Sequence, residues 1–158
     1  MTESKPWFED VAMPALLRHA RTTYGVAMRR ALANAGYDDI PRNGLYVIGG
    51  MAMGAAGVPL GKLIEDLRVS KQAAGQLIDT LVLRGYLERA VDGEDRRKLT
   101  VTLTERGRAA AAAQAAAREQ IDAVLTARVG EEDISRARRT LAALIEMGHG
   151  EEDEDDGH

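Results

Sequence analysis

Asp95-Arg96-Arg97-Lys98-Leu99-Thr100-Val101-Thr102-Leu103-Thr104-Glu105-Arg106-Gly107 is the stretch on which the fold turns. It opens as a charged turn. It continues as an alternating, β-branched segment, Leu99 to Leu103, which is the signature of a strand. It closes at Thr104, a residue able to cap the helix that the following alanines demand. Three cations, Arg96, Arg97 and Lys98, crowd the turn, and no catalytic group accompanies them. A short basic loop between two strands suits an extended polyanion better than a small substrate.

Upstream, Tyr86 to Val91 reads as the partner strand, and Asp92-Gly93 as the turn signal between the two. Before that strand lie two short helical patterns. Pro59 opens the first, with Leu60, Leu63, Ile64 and Leu67 on one face. Ser70 opens the second, as a hydroxyl N-cap. Ala74, Leu77, Ile78, Leu81 and Val82 then point inward, and Gly85 ends the helix. Further upstream, apolar residues from Met13 to Ala35 recur at spacings of three and four, the period of a helix, and Gly36 follows as its C-cap. A shorter helix is expected near Pro41, carrying Leu45, Val47 and Ile48 into a glycine-rich run from Gly49 to Gly57. Downstream, the alanine-rich segment from Thr104 to about Val129 has high helix propensity. After Gly130 a last helix carries Ile134, Ala137, Leu141, Leu144 and Ile145. The order is four helices, a hairpin and two helices.

The 158 residues suffice for one domain with a sizeable core, and only 4% are aromatic, which suits helix-on-helix packing. No cysteine is present, so disulfides, thiolate metal sites and thiol redox sensing are excluded. The histidines, His19, His149 and His158, show no metal-ligand spacing, and no metal or cofactor is expected. No apolar run reaches membrane-spanning length, nor does the N-terminus resemble a signal peptide, so a cytoplasmic protein is expected. The net charge of −4 is misleading, because six acids lie between Glu151 and Asp156. Without that tail, expected to be disordered, the body is mildly basic.

Two helices, a short turn between them and a two-stranded ribbon make a winged helix-turn-helix. At 100° per residue, the packing of Ala74, Leu77, Ile78 and Leu81 sends Gln72, Gln76 and Asp79 to the opposite face. Glutamine can bond adenine through N6 and N7 in the major groove. Lys71, the Ser70 hydroxyl and the N-terminal N–H groups of the helix suit phosphate. Arg96, Arg97 and Lys98 would follow the adjacent backbone and minor groove, where a narrow groove concentrates negative potential. Asp95 is expected to orient a neighbouring arginine. Gly75, costly within a helix, is read as a close approach to another backbone or to DNA.

From Pro59 to Gly107 the chain resembles the winged-helix core of the MarR family of bacterial transcriptional regulators. The resemblance rests on Leu63-Ile64-Glu65-Asp66-Leu67, Val69-Ser70-Lys71-Gln72, Leu77-Ile78-Asp79-Thr80-Leu81 and Gly85-Tyr86-Leu87. It is tightest over Asp95-Arg96-Arg97 and Val101-Thr102-Leu103-Thr104-Glu105-Arg106-Gly107. It implies a mainly α fold with a small β-hairpin wing, flanked by N- and C-terminal dimerisation helices. The expected parts are a dimerisation helix over residues 8–37, the DNA-binding domain over 38–104, dimerisation helices over 105–148 and the acidic tail over 149–158. It further implies a homodimeric repressor on a pseudo-palindromic double-stranded operator, released by a small, often aromatic or phenolic anion, with Arg97 in the minor groove. His19, Tyr24 and Tyr46 are the candidate effector neighbours. Trp7 is expected to anchor the N-terminus or close the pocket. The competing class is a winged-helix protein-interaction module without DNA or effector response. An enzyme is not expected, since no phosphate-cradling glycine motif, nucleophile elbow or acid–base constellation is present.

Overall fold

The computed structural model describes residues 3–54, 58–91, 94 and 99–155. A 3₁₀ turn, Trp7–Asp10, precedes helix α1 (Met13–Asn34). Then come α2 (Gly44–Ala52), strand β1 (Val58–Pro59), α3 (Leu60–Asp66) and α4 (Lys71–Leu83). Strands β2 (Leu87–Val91) and β3 (Leu99–Leu103) form the hairpin, and α5 (Glu105–Val129) and α6 (Glu131–Asp155) complete the chain. The expected order of helices and hairpin is therefore the observed one.

The punctuation works as its chemistry requires. Gly36, Gly85 and Gly130 take φ of +90°, +83° and +89°, the left-handed conformation that glycine adopts freely as it ends a helix. Ser70 caps α4, its Oγ accepting the Ala73 N–H at 3.1 Å. Thr104 caps α5, accepting the Gly107 N–H at 3.0 Å.

Pro59 opens α3 as expected, standing at its N-cap. Two features differ from expectation. Pro59 also ends β1, a third strand that pairs antiparallel with β3 (Val58 opposite Val101, Pro59 opposite Thr100) and makes the sheet order β1-β3-β2. An edge strand of two residues lacks the alternation that reveals longer ones, and proline is tolerated there because its missing N–H falls on the edge. The second helix starts at Gly44 rather than near Pro41, where a turn (Gly44 N–H to Pro41 C=O, 2.8 Å) intervenes. In addition, α6 runs as helix to Asp155, past residue 149 where the tail was expected to begin.

The chain divides into two units, Met1–Arg118 and Glu119–His158, with the division inside α5. The first holds the core. Met28 and Leu32 of α1, Leu45, Val47, Ile48 and Met51 of α2, and Leu63 of α3 meet Ile78 and Leu81 of α4, with Tyr86, Leu87, Val101, Ala110 and Ala111. Each fully buried Leu or Ile contributes about 1.5–3 kcal/mol. The alanines of α5 add little bulk, and so allow close packing.

Candidate nucleic-acid interface

Helix α4 is held from behind. Ala74, Ile78 and Leu81 are fully buried, and Leu77 and Val82 pack against the same core. The 3.6-residue period then leaves Lys71, Gln72 and Gln76 exposed, with Ser70 exposed just before them. Gln72 and Gln76 lie one turn apart, about 6 Å along the axis. The Ser70 oxygen is used in capping, but its O–H remains a donor to an approaching anion. Gln72 and Gln76 thus share one face of α4, and Ser70 and Lys71 stand exposed at its N-terminal end.

Asp79 also lies on the outer side, where a bare carboxylate would repel phosphate. It is paired with Arg89 of β2. In the hairpin, Leu87 is opposite Leu103, Arg89 opposite Val101 and Val91 opposite Leu99. Arg89 therefore shares a strand face with Leu87, whose side chain is buried. This cation was not anticipated. The period-two pattern of the strand is the signal that could have placed it beside α4.

Gly75 has nothing within 4 Å of where a Cβ would stand. The expected close approach to a neighbouring backbone does not occur among the described residues. Leu83, at the end of α4, is 86% exposed. The wing-tip residues Asp95, Arg96, Arg97 and Lys98, and the turn Asp92-Gly93, lie outside the described residues.

A second cluster fixes the base of the ribbon. Tyr86 donates its hydroxyl hydrogen bond to the Asp39 carboxylate. Arg106 donates to Asp39 Oδ1 at 3.2 Å and to Tyr86 Oη at 2.9 Å. The Arg106 guanidinium lies 4.6 Å from the centroid of the Tyr86 ring and 5.3 Å from that of Tyr37. Arg84 donates to the Asp39 carbonyl. Burial, and then the adjacent Asp39 carboxylate, push the Tyr86 phenol up to about 12. The Tyr86 hydrogen bond holds Asp39 below the usual carboxylate range, with the Arg106 charge acting in the same direction. Residues 39, 86 and 106 are too far apart in sequence for spacing to have joined them. The cluster ties the α1–α2 loop, the end of α4, the start of β2 and the first turn of α5 into one piece. At that meeting point a Cβ on Gly107 would stand 2.1 Å from the Tyr86 carbonyl oxygen, so only glycine fits.

The candidate effector residues are not brought into one site. Tyr46 lines a cavity of about 700 Å³ together with Arg21 and Arg42. Its ring is covered by the Arg21 guanidinium at 4.0 Å. Tyr24 packs against the core without lining that cavity. His19 is exposed on α1. Trp7 is 76% exposed, stacked edge-on with Phe8, and does not pack into the core as an anchor. No helix among the described residues is long and apolar enough to cross a membrane.

Comparison with known proteins places this architecture. The sequence model described as "MarR family" matches residues 39–98. No curated protein matches the chain in sequence. Among solved structures, Streptococcus pneumoniae FabT in complex with DNA superposes with a TM-score of 0.72 at 20% identity, over 87% of this chain and 96% of that one. The S. aureus MepR–DNA complex gives 0.70 at 16% identity, over 87% and 99%. Apo MarR from E. coli gives 0.61 at 20% identity, over 85% and 96%. At these identities the likeness establishes the fold.

Proposed function

We propose, from the match of the MarR-family sequence model to residues 39–98, that the chain is a sequence-specific, double-stranded-DNA-binding transcriptional regulator. It acts without catalysis, in the cytoplasm, as a homodimeric repressor on a pseudo-palindromic operator. The observation that carries the reading is α4: a helix fully packed behind, capped by Ser70, and presenting Lys71, Gln72 and Gln76 to solvent. Its one exposed-face acid, Asp79, is already neutralised by Arg89. Two structures of the same fold, FabT and MepR, were solved with DNA. In this reading Gln72 and Gln76 contact base edges, and Ser70 and Lys71 contact phosphate. Arg96, Arg97 and Lys98 follow the backbone and minor groove at the wing tip. Release by a small anionic effector completes the scheme, with Tyr46, which lines a cavity with Arg21 and Arg42, as its proposed neighbour.

The test is salt-titrated binding to the promoter of the chain's own gene and to scrambled DNA. Log affinity should fall steeply with log salt, by about 0.9 per phosphate contacted. Gln72→Ala or Gln76→Ala should lose roughly 1–3 kcal/mol on the operator alone, and Arg97→Ala should weaken binding with the dimer intact. Equal losses on both DNAs would remove the glutamines from base reading. Absence of any specific retention would favour the protein-interaction module instead.

A further inference from the structure

Gly75 stands inside α4, where glycine is the costliest residue a helix holds apart from proline. A glycine kept in such a place ordinarily makes room for something. Two others do so within this chain: a Cβ on Gly107 would run into the Tyr86 carbonyl, and one on Gly49 into the Gln114 amide. A Cβ on Gly75 would meet nothing within 4 Å among the described residues. Nor does the backbone need a glycine here, since its φ is not positive. The room at Gly75 is therefore open to whatever approaches α4 from outside.

Its neighbours on the helix set what that is. By the helical period Gly75 lies about 60° round α4 from Gln72 and about 40° from Asp79, one turn after the first and one before the second. Gln72 and Asp79 are exposed, and Gly75 is half-buried at the edge of their face. The Asp79 charge is already held by Arg89. The missing Cβ thus leaves a hollow the size of one methyl group, walled by an amide and a neutralised carboxylate. An amide such as that of Gln72 bonds adenine through N6 and N7 in the major groove. Every such adenine is paired with thymine, whose C5-methyl projects into the same groove and takes apolar contacts.

We infer that Gly75 is a specificity-determining position, its bare Cα seating the C5-methyl of an operator thymine beside Gln72. The inference rests on the reading of α4 as the DNA-contacting helix, and adds to it a thymine preference that the glutamine amides do not themselves supply. An alanine at 75 would put its own methyl where the thymine methyl sits. Uracil, identical to thymine but for that methyl, would leave the hollow empty. The methyl can be carried by the protein or by the DNA, but not by both.

Exchanging that methyl between protein and DNA tests it. The probe is the tightest duplex that the full wild-type chain selects from a random-sequence pool, made once with thymine and once with uracil. The wild type should bind the thymine form about fourfold more tightly, the contribution of one buried methyl. Gly75→Ala should bind the thymine form at least about tenfold less tightly than the wild type, as overpacked methyls do, and should prefer the uracil form. A thymine preference that survives unchanged in Gly75→Ala overturns the inference, as does its absence in the wild type. So does an equal loss on scrambled duplex, because a contact to the backbone does not read thymine. Melting temperature checks the variant itself. Loss of a glycine inside a helix should raise it by about 3 °C, and a fall would mean that Gly75 packs against protein, which also overturns the inference. Failure of the wild type to select any duplex sinks the regulator reading; selection without the reversal of preference sinks the role of Gly75 alone.

Discussion

In the unit Met1–Arg118, the side chains of Ile48, Ile78, Leu81, Tyr86 and Val101 are wholly withdrawn from solvent, whereas in Glu119–His158 no described residue is buried. The second unit is not short of apolar side chains. Leu144 and Ile145 lie three and four residues after Leu141, on the same side of α6, and Ile145 is 60% exposed. The first unit satisfies its apolar residues within the chain. The second has helical propensity and sequence pattern enough to form helices, but its apolar stripe finds no partner among the described residues of its own unit. The contrast supports the proposed homodimer, because a second copy offers the same stripe in return.

The sharpest way to break the comparison is to charge that stripe. Leu144→Asp with Ile145→Asp should weaken self-association by about 4 kcal/mol, roughly a thousandfold, since apolar contact is lost and two carboxylates would be buried. Analytical ultracentrifugation should show the mass halve while the first unit stays folded. An unchanged mass would remove the stripe from the interface.

Next is a change confined to the first unit. Gly107→Ala drives a methyl into the Tyr86 carbonyl and should cost about 3 kcal/mol, read as a lower urea midpoint. A loss under about 1 kcal/mol would mean that α5 can shift freely against β2.

Tyr86→Phe is gentler. It removes the hydroxyl shared by Asp39 and Arg106 and should cost about 1–2 kcal/mol. It also carries a pH signature. The folded phenol is raised from 10.0 to about 12, so its contribution is fully present below pH 10 and is lost as pH rises to 12. Melting temperature in the wild type should fall over that window more steeply than in Tyr86→Phe. Parallel curves would show that the phenol is not the titrating group.

The smallest effect belongs to the exposed pair. Arg89→Ala should change stability by less than about 1 kcal/mol, as surface ion pairs do, yet weaken DNA binding by unmasking Asp79. If DNA affinity is unaffected, Asp79 does not need its partner.

Much of the fold was legible because it is local. Ser70, Thr104, Gly36, Gly85 and Gly130 act within a few residues of themselves, and the buried face of α4 follows from spacing alone. Gln72 and Gln76 could be placed on the outer face for the same reason. The two-residue β1 could not be seen, since two residues have no period. The pairing of Asp79 with Arg89 was half-visible in the strand alternation. The joining of Asp39, Tyr86 and Arg106 was not visible at all.

From sequence alone come the order of the elements, the inward and outward faces of α4, and the alternating ribbon with its basic turn. These depend on periodicity, propensity and caps, which are properties of neighbouring residues. Tertiary structure decided that Arg89 screens Asp79 and that Gly107 admits the Tyr86 carbonyl. Each of those facts needs groups ten or more residues apart to meet, and only the packed chain sets such distances.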